Sequence, residues 1–172
     1  MTAIDSNRAA AAVFSELVEG PGAPGTAVVL NTGDVGLLRS LAQLSAADAS
    51  RSASGGATIA AHVQHLRFGL SLLNRWAREG GDPFTDAKWD EPWRTSAVDE
   101  REWQQIQGGL REETGRWLDV LATRPPTTTR DLHWMIGSIA HLAYHVGAVR
   151  QIHAASRGPR EGSFAPPAPP PG

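Results

Sequence analysis

The sixteen residues SIAHLAYHVGAVRQIH, Ser138 to His153, hold three of the chain's six histidines. Two of them, His141 and His145, are four apart. On a helix of about 3.6 residues per turn, four positions amount to roughly 400°, so the two imidazoles stand about 40° apart on one face, and both can reach one ion. Trp134, Ser138, Ala148 and Ile152 fall close to the same stripe, which turns the pair towards a core. Histidines placed there need hydrogen-bond partners or a metal to offset lost solvation. The pair therefore reads either as ligands or as two satisfied core side chains. By the same phase count, His133 and His153 lie roughly 80° from the nearest member of the pair and are expected at the surface.

A third ligand has to come from another helix, and the histidines available are His62 and His65, three apart in TIAAHVQHLRFGL. Three neutral imidazoles suit Zn²⁺, Ni²⁺ or Fe²⁺, and a three-ligand set leaves one position open for water or substrate. Leu142 follows His141, so the glutamate that acts as general base in an H-E-x-x-H site is missing and proteolysis is not the chemistry indicated.

Four long amphipathic segments must position these rings. SNRAAAAVFSELV, about Ser6 to Val18, is alanine-rich with Val13, Phe14 and Leu17 at helical spacing, and Gly20, Pro21 and Pro24 stop it. A second helix is capped by Thr58, buries Ile59, Val63, Leu66, Leu70 and Leu73, and ends at Gly80-Gly81. Between them, TAVVLNTGDVGLLRSLAQLSAADASRSASGG offers a weak apolar run and then Leu37, Leu38, Leu41 and Leu44, a helical piece with irregular flanks; NTGDVG lacks the lysine and spacing of a phosphate loop and reads as a turn. Ser96 and Asp99 form a capping-box pattern ahead of a third helix through Trp103, Ile106, Leu110, Trp117, Leu118 and Leu121, which Pro125-Pro126 ends. The last helix is expected from Thr129 or Asp131 to about Ser156. The long connection DPFTDAKWDEPWRTSA carries Trp89 and Trp93, which either wall an apolar pocket over the open coordination position or simply pack the connection onto the body. Arg150, about 140° from His145 in helical phase, is assigned to a salt bridge or interface, and Gly147 to a close helix approach. The reading is an all-α, four-helix bundle over residues 1–158, followed by a Pro-rich tail over 159–172 that lacks the apolar content to fold.

The combination of TIAAHVQHLRFGL behind a Gly-rich lead-in, a tryptophan-bearing connection, a third helix and SIAHLAYHVGAVRQI resembles the DinB/YfiT-like superfamily, over roughly Asn7 to Gly158. Its sharpest element is H-x-x-x-H-x-G-x-x-R-Q, here His141, His145, Gly147, Arg150 and Gln151. The resemblance implies a four-helix bundle with a long connection between its second and third helices, commonly a homodimer, with a divalent metal on one histidine of the second helix and two of the last. The family's second-helix histidine is typically followed by an apolar residue, a description that fits His65 before Leu66 at least as well as His62 before Val63. The ligand set so implied is His65, His141 and His145, with His62 as an alternative ligand or a residue behind the ligands. Characterised relatives include transferases that use low-molecular-weight thiols such as bacillithiol and mycothiol, and a maleylpyruvate isomerase type. The resemblance thus implies a metal-dependent, thiol-using S-transferase or isomerase acting on a small-molecule substrate. A hydrolase using metal-bound water, and a non-catalytic helical module for dimerisation or binding, are the other readings.

Composition narrows the classes. Lys and Arg total 16 against 18 Asp and Glu, with no basic stripe to neutralise a phosphate backbone, so no nucleic-acid partner is expected. The chain has no cysteine, which removes disulfides, thiolate ligands and a cysteine nucleophile; any thiol chemistry uses a thiol from outside. AAAAVF near the N-terminus runs straight into Ser15 and Glu16 and does not read as a signal peptide. No window approaches the roughly 18 apolar residues of a membrane span, and the expectation is a soluble, cytoplasmic protein.

Overall fold

The computed structural model of the chain describes residues 5–23 and 25–159. Among them it is all-α, with six α-helices, two single 3₁₀ turns and no strand. Four long helices, α1 (Ser6–Glu19), α4 (Ile59–Glu79), α5 (Glu100–Thr123) and α6 (Thr129–Ile152), enclose one core, and two short ones, α2 (Gly36–Ala42) and α3 (Ala46–Ala49), lie between α1 and α4. The expected tail lies, apart from Pro159, outside the described residues.

The long helices form a ring in which α1 packs on α5 and α6, and α4 packs on α5 and α6. Their directions follow from the contacts that fasten their ends. Asn7 at the start of α1 donates to the carbonyls of Leu121 and Arg124 at the end of α5, at 2.9 and 2.6 Å, so these two helices are antiparallel. Arg124 reaches the carbonyl of Ala77 near the end of α4, so α4 and α5 run the same way. Two parallel neighbours need a connection as long as the helices themselves, and residues 80–99 supply it. Its start is held where Arg75 donates to the Pro83 carbonyl at 2.9 Å, and its end where the Thr58 hydroxyl donates to the Thr95 carbonyl at 3.1 Å. The segment therefore retraces the length of α4, and the 3₁₀ turn Pro92–Arg94 packs on that helix.

The predicted apolar faces are the buried ones, Ile59, Val63, Leu66, Leu70 and Leu73 on α4, and Trp103, Ile106, Leu110, Trp117 and Leu121 on α5, except that Leu118 is only partly buried. The two deepest indoles pair their N–H groups, Trp103 with the Leu44 carbonyl and Trp117 with the Ser138 hydroxyl, each at 2.8 Å, which removes the penalty for burying a polar donor.

Several local expectations are corrected. The capping box of α5 is Asp99 with Glu102, one step beyond Ser96 with Asp99; the Val98 amide is tied to the Ser50 hydroxyl at 3.0 Å and keeps the preceding residues outside the helix. The last helix stops at Ile152 because His153 turns extended (φ −136°, ψ 127°), and Ala154–Ser156 form a separate 3₁₀ turn. His153 is half-buried and lies 3.2 Å from Asp48, whereas His133 is exposed as expected. Gly147 faces open space, with nothing within 4 Å of an added Cβ, so no close helix approach accounts for it. TAVVL forms no strand: the amides of Val28, Val29 and Leu30 all donate to the buried carboxylate of Glu16, at 2.6 to 3.1 Å. NTGDVG is a turn, closed by the Asp34 amide on the Asn31 carbonyl, and Asp34 accepts from Arg150 at 2.8 Å, the salt bridge assigned to that arginine.

Candidate metal centre

The antiparallel pair α4 and α6 faces His62 and His65 with His145 and His141. Nε2 of His141 lies 2.9 Å from Nε2 of His145 and 3.1 Å from Nε2 of His65. His65, His141 and His145 each offer a nitrogen, and these nitrogens lie within 4.8 Å of one another. His62 stands behind, its Nδ1 2.9 Å from Nδ1 of His145. The helical phase that puts the pair on one face is therefore realised, and of the two α4 histidines it is His65 that joins the pair.

Protons cannot satisfy this arrangement. A ring nitrogen carries either one N–H or one lone pair, yet Nε2 of His141 faces two other imidazole nitrogens at hydrogen-bond distance. If it donates, one neighbour is left; if it accepts, two donors compete for a single lone pair. Burial makes matters worse. His145 is 2% exposed and His65 8% exposed, and Nδ1 of His65 is buried without a partner. Burial first, and the neighbouring histidines second, push His145 down to about 3 and His65 down to about 4, and burial lowers His62 and His141 as well. At neutral pH the cluster consists of neutral imidazoles, the form that binds metals.

The donor set fits a divalent cation. Three imidazole nitrogens at about 2.0–2.1 Å from a tetrahedral ion lie about 3.3 Å apart, a few tenths of an ångström more than the two short separations here. With the Nε2 atoms directed at an ion, Nδ1 of His145 carries the proton and donates to His62, the kind of contact that fixes the tautomer and orientation of a ligand ring.

The connection 80–99 covers this centre because it retraces α4. Trp93 stacks on His65, with centroids 4.3 Å apart and planes 29° from parallel, and meets His62 edge-on at 5.3 Å. Trp89 lies 5.5 Å from the His65 ring and lines a cavity beside it. Of the two tryptophans read as pocket walls, Trp89 walls that cavity, whereas Trp93 covers the imidazoles. Further along α4, Asn74 donates to Glu113 and Trp76 packs against Trp117 and Trp134, away from the centre. The cavity residues that sequence reasoning missed are Gly69, Phe84 and Gly137, together with His133, which it placed at the surface only. A signal for two of them was present, since Gly69 is one turn after His65 and Gly137 one turn before His141.

Comparison of the chain with protein-family models, with curated proteins and with solved structures returns no match. Among the described residues no helix is long and apolar enough to cross a membrane.

Proposed function

We propose that this chain is a divalent-metal-binding four-helix bundle of DinB/YfiT type, with His65, His141 and His145 as ligands and the remaining coordination position turned to a small-molecule substrate. The observation that carries the reading is the meeting of three neutral, desolvated imidazoles at one point, with more nitrogens in contact than ring protons can satisfy. Zn²⁺ and Ni²⁺ suit this donor set, and Fe²⁺ is compatible with it. Such an ion, when bound, supplies Lewis acidity that lowers the pKa of a coordinated thiol or water.

The chain's own residues do the rest. His62 holds the His145 ring by accepting its Nδ1 proton, Trp93 shields His65 from water, and Trp89 confines whatever approaches from the cavity. No carboxylate is among the described residues lining that cavity, and the one imidazole there outside the ligand set is that of exposed His133, so no carboxylate base stands beside the centre for water. A ligand that ionises on the metal without such help, a thiol, fits better, and the activity we infer is a thiol-dependent S-transfer or isomerisation. Metal content of the purified chain tests the reading, beside His65→Ala, His141→Ala and His145→Ala variants shown to be folded by circular dichroism. One ion per chain, lost in each variant, is expected; a wild-type chain that cannot be loaded with Zn²⁺ or Ni²⁺ would falsify it.

A further inference from the structure

A cavity of about 300 Å³ opens between α4 and α6, with His65 and His141 at one end. Its walls are Phe84, Trp89 and Trp134 together with leucines of both helices, and among the described residues its lining holds no carboxylate, ammonium or guanidinium group. The one hydroxyl there, on Ser138, is already used: it accepts from Trp117 and donates to the Met135 carbonyl at 2.7 Å. The polar groups left for a ligand are imidazoles, those of the centre and that of exposed His133.

The space exists because two lining positions carry no side chain. Gly69 and Gly137 have ordinary helical backbone, and neither is forced by crowding. An added Cβ meets nothing within 4 Å at Gly137, and at Gly69 only ordinary contacts, His141 Cε1 at 3.6 Å and the Trp89 ring at 3.7 Å. Glycine in a helix interior is unfavourable relative to alanine, and here the backbone gains nothing in return. What the two glycines provide is room beside the histidines.

We infer that the substrate carries an uncharged aromatic group, that this group occupies the cavity between Gly69 and Gly137, and that its donor atom points at His65 and His141. The inference rests on the metal reading for the donor atom, and on the cavity alone for the aromatic group. Aromatic walls favour a ring through edge and offset contacts, whereas a charged or hydroxyl-rich body would be desolvated there without partners. A polar thiol cosubstrate would therefore have to leave its body outside this cavity.

Two thiols of similar acidity test it, benzyl mercaptan and 2-mercaptoethanol, titrated into the full chain loaded with Co²⁺ and followed by the thiolate-to-cobalt absorption. Benzyl mercaptan is expected to bind at least about tenfold more tightly. That preference should disappear in Gly137→Leu, which adds a bulky side chain to the cavity lining while improving helix propensity and should keep the wild-type Co²⁺ stoichiometry. Equal affinities in the wild type, or a preference that survives Gly137→Leu, overturn the inference. Should the chain take up no Co²⁺, the metal reading fails by itself, and saturation-transfer NMR with benzyl alcohol reads the cavity directly. A signal in the wild type that Gly137→Leu abolishes then upholds the aromatic site, and no signal in the wild type overturns it.

Discussion

Replacing His62 by Phe separates a residue that positions a ligand from one that is a ligand. The ring of His145 is 2% exposed and its Nδ1 has His62 as partner at 2.9 Å. Phenylalanine keeps a ring at the position for Trp93, which meets His62 edge-on, but it offers no acceptor. An N–H left unpaired in such a place costs about 1–3 kcal/mol. At about 1.4 kcal/mol per factor of ten, that weakens metal binding by about 5- to 150-fold, in line with the roughly 10–100-fold usual when a residue behind a ligand is lost. Zn²⁺ competition with a chelating dye near neutral pH measures it, in folded variants. His62→Phe is expected to bind one ion at this reduced affinity, His62→Gln, whose amide oxygen can accept the proton, to recover part of the loss, and His141→Ala to lose stoichiometric binding. Two results would refute the reasoning. Affinity unchanged in His62→Phe would mean that the Nδ1 contact does nothing for the site, and loss as complete as in His141→Ala would make His62 a ligand.

Acid should destabilise the metal-free chain in a defined window. With His65 near 4 and His145 near 3 in the folded chain, against about 6.5 unfolded, the unfolded state binds more protons between these values. Stability is then full above about pH 6.5 and falls as pH drops towards the folded values, by up to about 1.4 kcal/mol per pH unit for each ring. Urea midpoints at successive pH values below neutrality check this, and a flat profile down to about pH 4 contradicts it. Glu16→Ala removes the acceptor shared by the amides of Val28, Val29 and Leu30, and a loss of about 2–4 kcal/mol is expected in denaturant unfolding, far above the few tenths of an exposed glutamate.

The histidine pair on α6 and the apolar faces of α4 and α5 were legible because helical phase alone dictates them. The family resemblance left His62 as an alternative to His65, and that His65 joins the pair needed the register of α4 against α6 to be seen. Phase says nothing of which helices are neighbours, so the ring that puts α1 beside α5 and α6 could not be read from the chain. The start of α5 illustrates a different limit. Ser96, Asp99 and Glu102 are spaced three apart, so two capping boxes fit the local pattern equally well, and contacts with Ser50 and Ala46, about fifty residues away, select the second. Sequence patterns record side chains that are present. The cavity is made by two that are absent, and Glu16 satisfies three backbone amides that no residue pattern announces.

The path of residues 80–99 back along α4 also bears on the order in which the molecule assembles. His65 and His141 are 76 residues apart in the chain, and His62 and His145 are 83 apart. Contacts of such separation form only after the entropy of a large loop has been spent. The two halves of the centre lie on α4 and α6, so the complete set of imidazoles exists only once these two helices are packed together. On the proposed metal reading, an ion held by that set would tie α4 to α6, and its binding energy would add to the stability of the native state alone.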